Sequence, residues 1–403
     1  MKNSRERAAD IIGRWITTGD FPDRLIEGVD RDRAFVMEVV FGVVRWKKTL
    51  DWVIAKYSSR PNKRLVPFLY TGLYQLLLMD NVAEYAAVNE TVEAAKRISR
   101  SAGGFVNAIL RRAQTGKTGL LAELAGQPLP VRESHPEILV DRWTGRYGAD
   151  GAEKLCKWNN TRPKVQIRIS GLKPQLVPPE FKDKDFVELP PGTRVEDVPG
   201  YAEGSFIVQD PSTAHAVKLL DPKPGETVLD ACAAPGGKTV MIAERMRLQG
   251  ELYAADIHAD RIVTLKDTLN RMKCGWVKVI KADSSRLQKV TGDKIFDAIL
   301  LDAPCTNTGV IRRRPDARWR FSLKRLKELT HLQKSLLDSA SKVLKPGGRI
   351  VYSTCSLEPE ENSSLVAGWL GQNTGFKMEK QVEIFPPKAG TDGAFAALIR
   401  KLE

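Results

Sequence analysis

The amino-acid sequence predicts a multidomain protein whose carboxyl-terminal part is an α/β domain with a Rossmann-like, doubly wound parallel sheet. Three observations support this prediction: the chain has 403 residues, apolar residues recur at helical spacing up to about residue 112, and apolar strand segments alternate with helical patterns after about residue 201. Such a length exceeds the usual size of one domain, and the alternation is typical of a parallel sheet. Ligands of these sheets bind at the carboxyl ends of the strands, where the chemistry is expected.

The amino-terminal part has the pattern of a helical bundle. Apolar residues such as Ala8, Ile12 and Trp15 recur at helical spacing, and short segments with Gly, Pro or Ser separate the helices. A helical pattern over residues 136–158 and a strand-like alternation over residues 165–169 come next. We predict three domains: a helical bundle over residues 1–125, a linker with a small α+β intermediate domain over 126–200, and the α/β domain over 201–403.

The net charge favours a polyanionic partner. The formal charge is +14, from 63 Lys and Arg against 49 Asp and Glu. Clustered basic side chains gain free energy by displacing counterions from a phosphate backbone, so nucleic acid is favoured over a small acidic ligand. A basic but merely soluble surface is the alternative, and charge alone does not decide between the two.

The cysteines and the amino terminus indicate a cytoplasmic protein. The five cysteines form neither a disulfide framework nor the paired spacing of a zinc site, so we predict no metal site. The amino terminus lacks the apolar core of a signal peptide. The most apolar run, residues 65–79, is interrupted by polar residues and is too short to cross a bilayer. We therefore expect a monomer without a membrane partner.

An apolar strand near residue 228 leads into a loop of small residues that opens a helix. Small residues allow a ligand to touch backbone N–H groups, so this loop is a candidate ligand site. The segment nearly matches the phosphate-binding loop of an ATPase. However, Cys232 stands where that motif requires glycine, and Pro235 removes a backbone donor, so the ATPase alternative is disfavoured.

Acidic residues end the next three predicted strands, namely Asp256, Asp283 and Asp302. An acid at the second strand suits a ribose diol, and an acid near the third suits the exocyclic amine of adenine. A single strand-terminal Asp is more often a helix cap or a turn former. The shared position of three acids nevertheless favours a cofactor that contains adenosine and no phosphates.

Two cysteines follow two strands of the same predicted sheet: Cys305 follows the fourth strand and Cys355 the fifth. Carbon 5 of cytosine is a poor nucleophile, so an enzyme must first add a thiolate to carbon 6, which creates an enamine that attacks an electrophilic methyl group. We expect Asp302 to hydrogen-bond the base, and the second cysteine to assist loss of the carbon 5 proton. The residues alone leave open which cysteine attacks.

Three motifs resemble those of RNA cytosine-5 methyltransferases of the NOL1/NOP2/Sun family: DACAAPGGKT, LDAPCTNTG and YSTCSLEPEEN. The amino-terminal segments RDRAFVMEVVFGVVRWKKTLDW and GFVNAILRR are similar to the NusB-like domain of the bacterial RsmB (Sun/Fmu) branch, whose members methylate small-subunit rRNA. The resemblance covers essentially the whole chain. It implies a NusB-like helical bundle, a Rossmann-like methyltransferase domain, and 16S rRNA or a small-subunit assembly intermediate as the partner.

The resemblance also implies roles for individual residues. Cys355 would be the nucleophile, and Cys305 would assist release of the methylated base. Residues 206–212 resemble a segment that packs beside the cofactor pocket, and Ala394 stands where a bulkier aromatic residue is expected. The residues that would surround S-adenosylmethionine are Cys232, Ala233, Ala234, Pro235, Gly236, Gly237, Lys238, Asp256, Asp283 and Asp302.

Two basic segments are candidate RNA surfaces. The first is residues 311–320, which follow the Cys305 motif with several arginines and Trp319, and which could grip phosphates and stack on a base. The second lies in the helical bundle and comprises Arg45, Lys47, Lys48, Lys63 and Arg64. A solvated face or a purely architectural role is the alternative for each. For the whole chain, a non-enzymatic RNA-binding regulator is the alternative to an enzyme.

Overall fold

The computed structural model describes residues 3–171, 181 and 184–403. The chain divides into two compact units: the first comprises residues 1–161 with 314–320, and the second comprises residues 162–313 with 321–403. The expected boundaries near residues 125 and 200 do not coincide with this division. Parts of the expected intermediate domain, residues 172–180 and 182–183, lie outside the described residues.

The first unit is helical, as the spacing of its apolar residues predicts. In its longest helix Val36, Val39, Val40 and Val43 are fully buried, which is the stripe expected of a helix facing a core. Among the described residues no helix is long and apolar enough to cross a membrane. The helices are α1 (Ser4–Thr18), α2 (Pro22–Ile26), α3 (Arg33–Tyr57), α4 (Val66–Leu78), α5 (Glu84–Lys96), α6 (Arg100–Thr115), α7 (Lys117–Ala125), α8 (Leu129–Arg132) and α9 (Glu137–Asn160).

A small antiparallel sheet opens the second unit. Its strands are β1 (Gln166–Ile169), β2 (Phe186–Glu188) and β3 (Phe206–Val208), in the order β2-β1-β3. Ile167 and Phe206 are buried in its core. The guanidinium of Arg168, which is 4% exposed, donates to Gln209 Oε1 at 2.7 Å and forms an ion pair with Glu244 of the larger sheet domain. The small sheet is therefore joined to that domain.

The larger sheet of the second unit has seven strands in the order β6-β5-β4-β7-β8-β10-β9. Strands β4 to β8 are parallel and are the five that the sequence predicts. Only β10 runs in the opposite direction among the described strands of this sheet, since it pairs antiparallel with both β8 and β9. The order reverses between β4 and β7, which makes this the topological switch point. The strands are β4 (Thr227–Asp230), β5 (Glu251–Asp256), β6 (Lys278–Lys281), β7 (Phe296–Asp302), β8 (Leu344–Thr354), β9 (Phe376–Ile384) and β10 (Ala394–Lys401).

Helices cover both faces of this sheet. The adjacent residues Val228 and Leu229 of β4 point to opposite faces, and each is fully buried in a different apolar cluster. The helices of the unit are α10 (Ala214–Leu220), α11 (Gly237–Arg245), α12 (Ala259–Arg271), α13 (Leu287–Thr291), α15 (Leu323–Lys342), α16 (Ser363–Leu370) and α17 (Pro386–Ala389), whereas α14 (Ala317–Arg320) belongs to the first unit.

The segment that carries α14 completes the first unit although it lies far along the chain. Arg318 is fully buried, and its Nη1 donates to the carbonyl of Ser134 at 2.8 Å and to Asn160 Oδ1 at 3.0 Å. The indole N–H of Trp319 donates to the carbonyl of Val44 at 2.6 Å. A chain segment with this many internal partners is part of the unit's interior and not a solvated loop.

Candidate active site

The polar residues that the sequence places after the strands lie at one edge of the seven-stranded sheet. Asp230, Asp256 and Asp302 are the last residues of β4, β5 and β7, and Cys355 directly follows β8. Parallel neighbours end at the same edge, and Asp302 stands opposite Ser353 in the register of β7 and β8. The candidate site therefore lies at the switch point of the sheet.

The loop over residues 232–238 connects β4 with α11 at this edge. Its small residues allow tight turns: the N–H of Gly236 donates to the carbonyl of Ala233 at 2.8 Å, and Gly236 has a φ of +110°. A Cβ at Gly236 would lie 3.0 Å from Leu265 Cδ1, so glycine is needed here for both conformation and space. Burial raises the pKa of the Cys232 thiol far above its ordinary value, which disfavours a nucleophilic role for it.

The acids after β5 and β6 have local partners in the structure. Asp256 is 3% exposed, and its Oδ1 accepts from the N–H of His258 at 3.0 Å while Arg261 Nη1 lies 3.6 Å from its Oδ2. Asp283 accepts from the N–H of Ser285 at 3.0 Å. Both acids therefore shape the turns after their strands, which is the local role that a strand-terminal Asp often has. A ligand role for either remains a prediction.

Asp230 lies beneath the loop and is 1% exposed. Its Oδ2 accepts from the hydroxyl of Thr239 at 2.7 Å, and its Oδ1 is a buried atom without a hydrogen-bond partner among the described residues. Burial raises the pKa of Asp230 to about 7, and the negative charge of Asp302 adds to this shift. The acid is thus held in an environment that favours its protonated form.

Lys238 links this loop to the end of β7. Its ammonium donates to Asp302 Oδ2 at 2.6 Å, and the hydroxyl of Ser353 donates to Asp302 Oδ1 at 2.7 Å. Burial lowers the pKa of Lys238, but the charge of Asp302 and the hydrogen bond between them raise it by more, so the net shift is upward. Lys238 and Cys355 also line the same pocket. Lys238 therefore connects the loop after β4 with the pocket that contains Cys355.

The structure brings the two predicted cysteines into contact. Cys305 Sγ lies 3.3 Å from Cys355 Sγ. The thiol of Cys355 donates to Asn307 Oδ1 at 3.0 Å, and Asn307 Nδ2 donates to the carbonyl of Cys305 at 3.0 Å. Because Cys355 has only one thiol hydrogen, the contact between the sulfurs is then donated by Cys305. The hydrogen bond to Cys355, followed by burial, raises the pKa of Cys305 well above its ordinary value.

A pocket opens in front of Cys355. Ser212, the last residue of the segment expected beside the cofactor pocket, lines it together with Thr213, the residue that follows. Ala394 also lines the pocket, and its small side chain fills less of it than the expected aromatic residue would. The remaining lining residues include His215, Lys238, Asp302, Val310, Ser353, Thr354, Asp392, Gly393 and Phe395.

Residues 311–320 were predicted to bind phosphates, and this prediction is wrong for most of their five arginines, which bind acceptors of the protein itself. Arg312 is 6% exposed and donates to the carbonyl of Arg162 at 2.6 Å. Arg313 bridges two carboxylates, with Asp392 Oδ2 at 2.6 Å and Asp210 Oδ2 at 2.7 Å. Arg318 and Trp319 are part of the first unit's interior, as described above. These arginines bind acceptors elsewhere in the protein that lie far away along the sequence. A local charge pattern does not reveal such partners.

In the second predicted RNA surface, some basic side chains pair with acids and others are exposed. Lys47 pairs with Asp51 at 2.7 Å, and Lys48 forms an ion pair with Glu137. Lys63 and Arg64 are exposed. Exposed basic side chains on the first unit thus remain candidates for phosphate contacts. Within the described part of the chain, no group of three or more His, Cys, Asp or Glu residues could hold a metal ion.

Sequence reasoning did not single out two residues that contact the cysteine loops. Asn307 has a φ of +61°, which asparagine tolerates better than most residues, and the conformation directs its amide between the two cysteines. Glu361 is fully buried and accepts hydrogen bonds from Thr306. Glu361 belongs to the YSTCSLEPEEN motif, which places it near Cys355 in the sequence. Its burial could not be deduced from the sequence.

Two family descriptions match the chain. The description "16S rRNA methyltransferase RsmB/F" matches residues 217–400, and "NusB family" matches residues 2–115. Ribosomal RNA small subunit methyltransferase B from Cronobacter sakazakii is 36% identical, over 99% of this chain and 99% of that protein. The chain belongs to the ribosomal RNA small subunit methyltransferase B family. Its relatives include a probable ribosomal RNA small subunit methyltransferase B from Bacillus subtilis, which is 31% identical over 92% of this chain and 91% of the relative.

Solved structures agree with this family and with the fold. The crystal structure of PH0851 covers 99% of this chain and 99% of its own, with 25% identity and a TM-score of 0.81. A methyltransferase homolog from Pyrococcus horikoshii is 28% identical and covers 68% of this chain and 98% of its own, with a TM-score of 0.59. The predicted NusB-like bundle and Rossmann-like methyltransferase domain are confirmed.

Proposed function

We propose that the protein transfers a methyl group from S-adenosylmethionine to carbon 5 of a cytosine in 16S rRNA, through a covalent bond between Cys355 and carbon 6. The observation that carries this proposal is the contact of two thiols, 3.3 Å apart, beside the pair formed by Lys238 and Asp302. Cytosine-5 methylation needs one sulfur to add to the base and a second group to assist elimination. The membership in a family of small-subunit rRNA methyltransferases supports methyl transfer to rRNA.

The residues at the switch point fit an adenosine cofactor. The loop over residues 232–238 consists mainly of small residues, which allow a ligand to approach its backbone at the sheet edge. Asp256 ends the neighbouring strand, the usual position of an acid that binds a ribose. Asp283 and Asp302 would complete the surroundings. When bound, S-adenosylmethionine would supply the electrophilic methyl group.

The protein groups around Cys355 are suited to the addition step. Lys238 and Cys355 line the same pocket, so a cationic side chain accompanies the sulfur that adds to carbon 6. The bond from sulfur to carbon 6 would form as the carbon 5–carbon 6 double bond opens; carbon 5 would then take the methyl group as the methyl–sulfur bond of the cofactor breaks and S-adenosylhomocysteine leaves. Asp302 lies at the same edge, within reach of a base held by Cys355, and would bind its polar edge.

The second thiol is suited to the elimination step. Once carbon 5 carries the methyl group, the Cys305 sulfur takes the proton from carbon 5 as a thiolate, the electron pair of that C–H bond re-forms the carbon 5–carbon 6 double bond, and Cys355 departs as thiolate. Cys305 is thus the base of the elimination. Its raised pKa makes this thiolate a stronger proton acceptor than that of an ordinary cysteine.

Methyl transfer to rRNA tests the reaction itself. We expect a labelled methyl group from S-adenosylmethionine to appear as 5-methylcytosine after digestion of 16S rRNA to nucleosides. Naked rRNA and small-subunit assembly intermediates should be compared as substrates, since the net charge of +14 suits either. Label in a different nucleoside would refute the cytosine assignment.

The roles of the two thiols are tested with Cys355→Ala and Cys305→Ala. The first variant should form no adduct and transfer no methyl group. The second should attack and methylate, yet remain covalently joined to labelled RNA on a denaturing gel, because addition does not need Cys305 and elimination does. Cys274→Ala, which removes a buried thiol elsewhere in the unit, is the matched control and should behave as the parent. A trapped adduct with Cys355→Ala and none with Cys305→Ala would reverse the two roles.

A further inference from the structure

A buried carboxylate, Glu361, lies beneath both cysteine loops and has no part in the reaction described so far. It is fully buried. Its partners are neutral donors, among them Thr306 and Gln333, so its charge is not balanced by an adjacent Lys or Arg among its described contacts. Burial raises the pKa of Glu361, and the hydrogen bonds from Ser356 and Thr306 counteract this shift. Burial of an acid costs free energy unless hydrogen bonds compensate it, so Glu361 depends on these hydrogen bonds.

The carboxylate holds the loop that carries Cys305. Glu361 Oε1 accepts from the N–H of Thr306 at 2.9 Å and from Gln333 Nε2 at 3.0 Å. The same Gln333 amide donates to the carbonyl of Pro304 at 2.9 Å. The residues on both sides of Cys305 are therefore bound by Glu361, directly or through Gln333.

The neighbouring residue holds the loop that carries Cys355. Asn362 Nδ2 donates to the carbonyl of Ser356 at 2.8 Å, and Asn362 Oδ1 accepts from the hydroxyl of Thr354 at 2.6 Å. The residues on both sides of Cys355 are thus bound by the residue that follows Glu361. The dipeptide of Glu361 and Asn362 connects both cysteine loops.

We propose that Glu361 is a positioning residue that fixes the Cys305 loop against the Cys355 loop and thereby determines how fast the methylated base is released. Loss of its carboxylate leaves the N–H of Thr306 without its acceptor and removes one of the two partners of the Gln333 amide, which still donates to Pro304. The Cys305 loop is then held less firmly, while Asn362 still holds the loop of Cys355. Addition to the base, which needs Cys355, would continue, whereas elimination, which needs Cys305 in place, would slow. The inference rests on the proposed division of labour between the two thiols.

Glu361→Ala is the test, with adduct formation and release as the readout. We expect covalent RNA adduct to accumulate as it does with Cys305→Ala, with release slowed roughly tenfold to hundredfold, since displacement of a catalytic group by about 1 Å has effects of that size. Glu361→Gln keeps an oxygen acceptor for the N–H of Thr306 and should restore much of the release rate. Glu360→Ala changes the exposed neighbouring acid and is the matched control.

Gln333→Ala removes the bonds to Pro304 and Glu361 without removing the carboxylate, and should slow release less than Glu361→Ala does. It also keeps the test decisive if Glu361→Ala does not fold. If Cys305→Ala traps the adduct while the folded Glu361 and Gln333 variants release it at the parent's rate, Glu361 has no positioning role. If Cys305→Ala itself traps nothing, the division of labour between the thiols is refuted instead.

Discussion

Gly309 lies where a methyl group would force the two cysteine loops apart. A Cβ at this position would lie 2.7 Å from the carbonyl oxygen of Cys355 and 2.8 Å from that of Gly393. Both atoms belong to backbone that is hydrogen-bonded to Gly309: the N–H of Gly309 donates to the Cys355 carbonyl at 2.9 Å, and the N–H of Gly393 donates to the Gly309 carbonyl at 2.8 Å. Neither oxygen can rotate away as a flexible side chain would.

The displacement that Gly309→Ala requires follows from these distances. Ordinary van der Waals contact begins at 3.4 Å, so the 2.7 Å approach must lengthen by about 0.7 Å. The shift acts on the backbone of Cys355, whose sulfur must reach carbon 6 of the base. A 1 Å misplacement lowers rates about a hundredfold, so we expect the rate of methyl transfer to fall roughly tenfold to hundredfold. Overpacking should also destabilise the fold by ~1–3 kcal/mol.

Single-turnover methyl transfer with saturating RNA and cofactor measures this effect apart from binding. Gly275→Ala is the control because it lies in the same unit and a Cβ there meets no atom within 4 Å. Calorimetry should find the same affinity for S-adenosylmethionine in both variants. A parental single-turnover rate for folded Gly309→Ala would show that the spacing of these loops does not limit the reaction.

Three further predictions concern residues away from the thiols. Asp256→Ala should weaken S-adenosylmethionine binding in calorimetry and leave RNA affinity unchanged, because it removes the carboxylate that we propose as the ribose acceptor and no proposed phosphate contact; equal cofactor affinity would exclude Asp256 from the site. Burial raises the pKa of Asp230 to about 7 from an ordinary 3.8. Between about pH 4 and pH 7 the folded state therefore keeps a proton that the unfolded chain releases. The free energy of unfolding should fall as the pH rises through this range, by ~4 kcal/mol at most. Urea unfolding should show this fall in the parent and not in Asp230→Asn. If the free energy of unfolding depends on pH in the same way in both proteins, Asp230 is not the cause. Arg318→Met should lower the free energy of unfolding, measured by urea titration, by ~2 kcal/mol or more, because it leaves buried carbonyls such as that of Ser134 unpaired; Arg314→Ala, at an exposed position, should have little effect.

The fold was largely predictable because its signals are local. The parallel strands are short apolar runs, and each ends in a polar residue that the structure places at the edge of the sheet, as with Asp230, Asp256 and Asp302. The contact between Cys305 and Cys355 follows from the same logic, since both thiols come directly after neighbouring strands. Pattern and topology together thus locate the candidate site.

What could not be predicted depends on partners that are distant along the chain. Arg318 has the sequence context of a phosphate-binding loop, yet its acceptors, among them Ser134 and Asn160, lie more than 150 residues earlier. Glu361 is one of several acids in its motif, and only the packing of Gln333 and Thr306 around it reveals a buried charge. Burial of a charged group is a long-range property that composition and spacing do not encode.

The membership of residues 314–320 in the first unit bears on how the protein is made. The rest of that unit is synthesised by residue 161, and the segment follows about 150 residues later. At roughly 5–20 residues per second, synthesis leaves the nascent helical unit without this piece for roughly 8 to 30 s. During that interval the carbonyls that Arg318 binds and the surface that Trp319 covers lack these partners and are left to water. A fragment ending at residue 161 would preserve that unfinished state permanently, so supplying residues 314–320 as a peptide should raise its stability.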